Sequence, residues 1–201
     1  MLYKHRELFN KLSIKVGLVF GKIPLTPNQW TLISMLPAFA AFYFLLQQQF
    51  LYAAASFALA AFIDFIDGSV ARVSGRVTKF GAYLDTVVDR IVESIIVFGL
   101  LFAILPEVML PGYVWIFLYF CGSFTTTYVK AAAKEKELVQ QELKGGLLER
   151  AERLTILFVG IVLAEFNAIY LVYVLILLAV LTNISAIQRI LIARKEASAT
   201  K

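Results

Sequence analysis

Asp64, Asp67, Asp85 and Asp89 fall within a 26-residue window, the first pair three apart and the second pair four apart. On a helix both spacings set the two carboxylates on one face. Long apolar runs adjoin each pair, so the acids stand at the ends of consecutive membrane helices. An uncompensated ionised group in that setting costs roughly 2.5–3.5 kcal/mol on insertion scales. Divalent cations would neutralise the cluster. An all-oxygen donor set favours Mg²⁺, with Mn²⁺ or Ca²⁺ as alternatives, and has nothing to attract zinc or iron. Mg²⁺ seldom takes its whole shell from protein and usually shares it with substrate phosphates. Gly68 and Gly81 leave room for backbone or phosphate to come close. Arg72 supplies a fork that fits a phosphate. Charged residues at helix ends often only mark a membrane boundary, and glycines often serve helix packing. That reading accounts poorly for four aspartates, two glycines and an arginine in one such window.

The elements that must position these residues are membrane helices. The chain has 201 residues, 60% hydrophobic and 16% charged, with a mean hydropathy of +0.79. Apolar runs of the roughly 17–25 residues that cross a hydrocarbon core recur along its length. They predict an all-α integral membrane protein with six transmembrane helices, at about 30–46, 50–63, 80–105, 113–129, 154–164 (starting near 147) and 169–187. The aspartate-bearing segment 64–79 is expected to link the second and third. Residues 4–22 precede them as an amphipathic interfacial helix, with Leu8, Phe9, Leu12, Val16, Val19 and Phe20 on one side and Lys4, Lys11, Lys15 and Lys22 beside them. Thr26 and Pro27 read as the N-cap and first position of the next helix.

The expected organisation is therefore 1–24 juxtamembrane helix, 25–192 catalytic membrane domain and 193–201 tail. Basic residues collect at the N-terminus and at 72–79, 130–153 and 189–195, whereas the alternate loops carry none. This positive-inside pattern puts both termini and the aspartates on the cytoplasmic side. It also explains the net charge of +5 through anionic membrane lipids, with no nucleic acid partner. The charged start without a small-residue cleavage site predicts no cleavable signal peptide. His5 and Cys121, one of each, suggest neither a metal ligand set nor a disulfide.

The pattern D-x2-D-G-x2-A-R-x8-G-x3-D-x3-D is met at every position by Asp64, Asp67, Gly68, Ala71, Arg72, Gly81, Asp85 and Asp89. In this the chain resembles the CDP-alcohol phosphotransferase family, and the six-span layout, the N-terminal helix and Pro27-Asn28 resemble it too. The resemblance implies a metal-dependent transfer. A CDP-linked lipid donor binds through its diphosphate to metal, two Mg²⁺ by family likeness, and an acceptor hydroxyl displaces CMP. By the same likeness Asp64, Asp67 and Asp85 are metal ligands, and Asp89 is the general base and a further candidate ligand. Asn28, Thr31, Gly68, Ala71, Arg72 and Gly81 would line the nucleotide and diphosphate site. A homodimer is implied as well.

The acceptor is addressed by basic residues beyond the motif. Lys130, Arg150, Arg153 and Arg189 lie on the predicted cytoplasmic side and suit an anionic polyol phosphate. The stretches around Thr127–Lys130, Glu149–Arg153 and Thr182–Arg189 are similar to the inositol-phosphate-accepting branch, with myo-inositol 1-phosphate as acceptor. Ala131, Ala132 and Ala133 stand where that branch carries a further arginine. Glycerol 3-phosphate as acceptor and CDP-inositol as donor are the alternatives within the chemistry; the lipid would be diacylglycerol- or archaeol-based. An ion transporter using intramembrane carboxylates has no need of Gly68 and Arg72 beside them. A UbiA-like prenyltransferase separates its two aspartate motifs far more widely.

Overall fold

A computed structural model describes residues 6–139, 143 and 145–199. Lys4, His5 and Lys144 lie outside the described residues, as do the first residues of the 1–24 segment and the last of the tail. Among the described residues the structure is all helix, with no β-strand and a single isolated bridge between Val108 and Leu110. The chain forms two compact units, Met1–Gly99 and Leu100–Lys201.

The first unit opens with α1 (Arg6–Phe20). Leu12, Ile14, Leu18 and Val19 of this helix are exposed, whereas Ser13 and Gly17 are buried and Val16 and Phe20 half-buried. The inward face is thus a narrower strip than hydrophobicity suggests, and small residues form its centre. It packs on α4 (Phe50–Val73). A Cβ at Gly17 would stand 2.5 Å from the Ser69 carbonyl oxygen, so only glycine permits this approach.

Thr26 caps α2 (Pro27–Ile33) as expected. Its hydroxyl accepts from the Gln29 N–H at 3.3 Å, and the Gln29 side-chain oxygen accepts from the Thr26 N–H at 2.8 Å. The first span is not one unbroken helix, because α2 ends at Ser34 and α3 (Met35–Leu46) begins there. Pro37 has no N–H to offer the carbonyl four residues earlier, which weakens the ladder at this point. Further departures from expectation concern length. Helix α4 does not stop with its apolar run at 63 but continues through both aspartates to Val73, so residues 64–72 all sit on one regular helix. It ends where Gly75 takes φ +66°, letting the Arg76 N–H bond the Ala71 carbonyl at 3.0 Å. Helix α5 (Lys79–Leu100) follows after this short link, and its Val88 and Val92 pack with Ala38 and Ala60.

In the second unit α6 (Gly112–Glu135) lies against α8 (Ala168–Ala199), and α7 (Arg150–Ala164) packs on α8 as well. Helix α8 outruns its expected end at 187 because no glycine or proline interrupts it. At the α6–α8 contact a Cβ on Gly122 would lie 2.8 Å from the Asn183 backbone nitrogen. The Asn183 amide bonds the Leu118 carbonyl at 2.9 Å beside it.

Among the described residues, three helical stretches are long and apolar enough to cross a membrane: Pro27–Leu46, Phe50–Val73 and Ala168–Ser198. Only 39% of each apolar window is buried within the protein, so the outward faces are themselves apolar and suit lipid. Helix α5 carries four charges in its middle, and α7 has only 15 residues. Both therefore lack the plain hydropathy of the other three.

Gly122→Ala is expected to destabilise the second unit by about 1–3 kcal/mol, because the new methyl meets backbone that cannot swing aside. A thermal unfolding midpoint in detergent lowered by several degrees is the expected reading, and an unchanged midpoint would mean that α6 and α8 are not in close contact there.

Candidate active site

Helix α4 presents Asp64 and Asp67 one turn apart, and the first half of α5 presents Asp85. One carboxylate oxygen from each lies within 4.8 Å of the other two. Asp67 is buried, and Asp64 and Asp85 are half-buried. The Asp67 Oδ2 atom is enclosed without a hydrogen-bond partner. A buried oxygen without a donor and two like charges beside it form an arrangement that calls for a cation. The donors are all carboxylate, which fits a hard divalent ion.

A cavity of about 190 Å³ opens beside Asp67 and Asp85. Helix α2 contributes Pro27, Asn28 and Thr31 to its wall, and α4 contributes Gly68, Ala71 and Arg72. The link and the start of α5 add Arg76, Val77, Thr78, Gly81 and Ala82. All six residues expected to line a nucleotide and diphosphate site therefore share one cavity. Gly68 lies over Arg72, and an added Cβ would stand 3.4 Å from the guanidinium Nη1. Gly81 is tighter: its Cβ would come within 3.0 Å of Thr78 Oγ1 and 3.2 Å of Asn28 Oδ1. Thr78 caps α5, its hydroxyl accepting from the Gly81 N–H at 2.9 Å, so the positive end of this helix faces the same cavity.

Sequence reasoning passed over Arg76 and Thr78. A threonine three residues before Gly81 is a legible cap signal, whereas Arg76 carries no signal beyond its charge. It also passed over the partners of Arg72. Ser13 of α1 accepts from both Nε (3.1 Å) and Nη2 (2.8 Å) of that guanidinium. Asp89 lies one turn beyond Asp85 on α5, outside the three-carboxylate group. One turn further still, buried Glu93 pairs with Arg90 at 2.7 Å, so its charge is answered within its own helix.

The four basic residues expected to meet the acceptor all belong to the second unit. Lys130 and Arg189 each approach Glu149, at 4.0 and 3.9 Å. Arg189 donates to the Gly145 carbonyl at 2.9 Å and to the Thr126 carbonyl at 2.8 Å. Arg153, buried, donates to the Thr126 hydroxyl at 3.3 Å. Lys130, Arg153 and Arg189 are thus gathered around Glu149 and Thr126, two residues that the sequence did not single out as partners. Arg150 is half-buried at the first turn of α7. Glu152 caps that turn, accepting from the Glu149 N–H at 3.1 Å.

An apolar helical chain whose carboxylate triad adjoins an arginine-bearing cavity is of the class of membrane enzymes that act on phosphate esters with a divalent ion. Residues 24–197 match the family model for CDP-alcohol phosphatidyltransferases. The chain is 37% identical over 201 residues to the archaetidylinositol phosphate synthase of Pyrococcus horikoshii, covering 97% of each chain. It is 33% identical over 178 residues to the phosphatidylinositol phosphate synthase of Corynebacterium glutamicum, covering 87% of this chain and 80% of that one. Its fold is similar to that of the Mycobacterium tuberculosis phosphatidylinositol phosphate synthase with CDP-DAG bound, with a TM-score of 0.79 and 26% identity over 91% of this chain and 94% of that one. The same enzyme in complex with manganese and citrate gives a TM-score of 0.80 at 26% identity, covering 90% and 88%. The chain belongs to the CDP-alcohol phosphatidyltransferase family and is a divalent-metal-dependent transferase of phospholipid biosynthesis.

If Asp64, Asp67 and Asp85 share a cation, Mn²⁺ at a hundred times its Kd should stabilise the protein by about 2.7 kcal/mol. In EDTA, Asp67→Asn should unfold at a higher temperature than the native chain, because one of three crowded charges is gone, and it should gain less from Mn²⁺. Thermal unfolding with and without the ion reads both effects. Equal gains in the two proteins would place the ion elsewhere.

Proposed function

We propose that the chain transfers a phosphatidyl or archaetidyl group from a CDP-linked lipid to a hydroxyl of myo-inositol 1-phosphate, releasing CMP. The observation that carries the chemistry is the carboxylate triad of α4 and α5 opening onto one cavity with Asn28, Thr31, Gly68, Ala71, Arg72 and Gly81. The acceptor rests on the gathering of Lys130, Arg153 and Arg189 in the second unit, with Arg150 nearby in sequence, and on the names of the relatives.

In this reading Asp64, Asp67 and Asp85 hold two Mg²⁺, with Mn²⁺ an effective substitute. The ions, when bound, neutralise the three carboxylates and stabilise the charge that collects on departing CMP. Arg72, the capped end of α5 and the space left by Gly68 and Gly81 receive the donor's diphosphate. Asp89, standing apart from the triad, takes the proton of the acceptor hydroxyl as that oxygen attacks the phosphorus distal to cytidine. Lys130, Arg150, Arg153 and Arg189 supply positive charge for the acceptor's own phosphate.

The setting is a multi-pass protein of the cell membrane with six spans over 25–192. Residues 1–24 lie in the interface and 193–201 form a tail; both termini and the site are cytoplasmic. The exposed Leu12, Ile14, Leu18 and Val19 of α1 and the one-sided distribution of basic loops support this topology. Family likeness supports a homodimer.

The test is CMP release by the detergent-solubilised protein with Mg²⁺ and CDP-diacylglycerol or CDP-archaeol. Release should require inositol 1-phosphate. Release with glycerol 3-phosphate alone would keep the mechanism and refute the acceptor. Asp89→Asn should lower turnover by about 10²–10⁴-fold with donor binding retained. Arg150→Ala should raise the acceptor KM well above any change in the donor KM, and equal changes in both would remove it from the acceptor site.

A further inference from the structure

The N-terminal helix makes a polar contact that its amphipathic pattern does not explain. Ser13 is buried on the face of α1 that meets α4, and its hydroxyl is the acceptor for two N–H groups of Arg72. It also lies 3.0 Å from the hydroxyl of Ser69, which is fully buried. The protons can be assigned along this chain. Ser69 donates to the Phe65 carbonyl at 2.8 Å, which leaves its oxygen to accept from Ser13. With its own proton so used, the Ser13 oxygen presents lone pairs to the guanidinium. The series runs from a helix carbonyl through two hydroxyls to a cation, each bond polarising the next.

One turn after Ser13, Gly17 brings α1 against α4. An added Cβ there would stand 2.5 Å from the Ser69 carbonyl oxygen and 2.6 Å from Val73 Cγ2. The close approach and the hydroxyl contact thus belong to one packed face. Arg72 stands near the C-terminal end of α4 with an exposed side chain, where a long flexible guanidinium otherwise samples many rotamers. Holding it through Nε and Nη2 fixes the plane of the fork at the wall of the cavity before any ligand arrives, which lowers the ordering cost of binding.

We propose that Ser13 is a positioning residue for Arg72, so that α1 docked on α4 forms part of the donor site. The proposal rests on the reading of Arg72 as a diphosphate ligand. Without the Ser13 hydroxyl, the guanidinium keeps only the long Nη2 contact to the Ser69 hydroxyl at 3.4 Å, and donor binding weakens while the acceptor is unaffected.

The test is a double-mutant cycle on the full-length, detergent-solubilised chain, with CDP-diacylglycerol as donor and both KM values measured. Ser13→Ala should raise the donor KM about tenfold, the scale of a lost hydrogen bond to a charged group, and leave the acceptor KM unchanged. Ser13→Thr, which keeps the hydroxyl, should restore it. In an Arg72→Ala background Ser13→Ala should add nothing. Ser13→Cys, close in size but a poor acceptor, gives the same comparison if the alanine variant does not fold. A donor KM unmoved by Ser13→Ala, an equal rise in both KM values, or the same added factor with and without Arg72 would overturn the proposal. If Arg72→Ala itself leaves the donor KM unchanged, the diphosphate assignment fails and this proposal with it. A defect in Arg72→Ala alongside a silent Ser13→Ala overturns only the role of Ser13.

Discussion

Three carboxylates within 4.8 Å of one another, one of them buried with an oxygen that has no donor, repel one another at a cost to the fold. Their repulsion is the constraint to which the rest of the first unit answers. A divalent ion would satisfy it and in doing so would create an affinity for phosphate, because carboxylate oxygens alone rarely complete the shell of a hard cation. In the proposed mechanism the cost of the cluster and its catalytic capacity then have one origin. Nearby charges that do not serve the cluster are paired separately, as Glu93 is with Arg90 at 2.7 Å.

The local structure shows how two helices are brought to that point without strain. Helix α4 stays regular through Val73, so Asp64, Asp67, Ala71 and Arg72 are placed by a continuous hydrogen-bond ladder rather than by a loop. Gly75, in the left-handed region, ends the helix, and Thr78 caps the next one four residues after Ser74. The link is too short to wander. Glycine at 68 then keeps a side chain off Arg72, and glycine at 81 keeps one off Thr78 and Asn28. On the outer side α1 closes against α4 through Ser13 and Gly17, which ties a helix with an exposed apolar face to the arginine of the cavity. The second unit follows a similar economy. Arg189 is held by three backbone carbonyls, and Glu149 draws in Lys130 and Arg189, so these basic residues are fixed in place instead of free in solvent.

The aspartates, glycines and Arg72 were legible in the sequence because residue type and spacing are local properties; the structure brings Asp64, Asp67 and Asp85 together and leaves Asp89 outside that group. The capping of α2 by Thr26 was legible for the same reason. Breaks and extents were harder. Hydropathy runs smoothly across Ser34, and only Pro37 hinted at the division of α2 from α3. The apolar run stops at 63, yet helix hydrogen bonds are indifferent to side-chain charge, and no proline interrupts α4 before Gly75. Contacts between distant residues were not legible at all. Nothing in the sequence couples Ser13 to Arg72 across 59 positions, or Arg189 to Thr126 across 63. A serine on an apolar strip reads only as a defect of amphipathicity until its partner is seen.

The central claim is that Asp64, Asp67 and Asp85 form one divalent-ion site. Crystals of the protein grown with Mn²⁺ and measured near the manganese absorption edge test it most directly. The account predicts anomalous peaks within about 2.0–2.4 Å of oxygens from all three carboxylates, the range for hard divalent ions. Full occupancy elsewhere, with the three carboxylates bare, would contradict it.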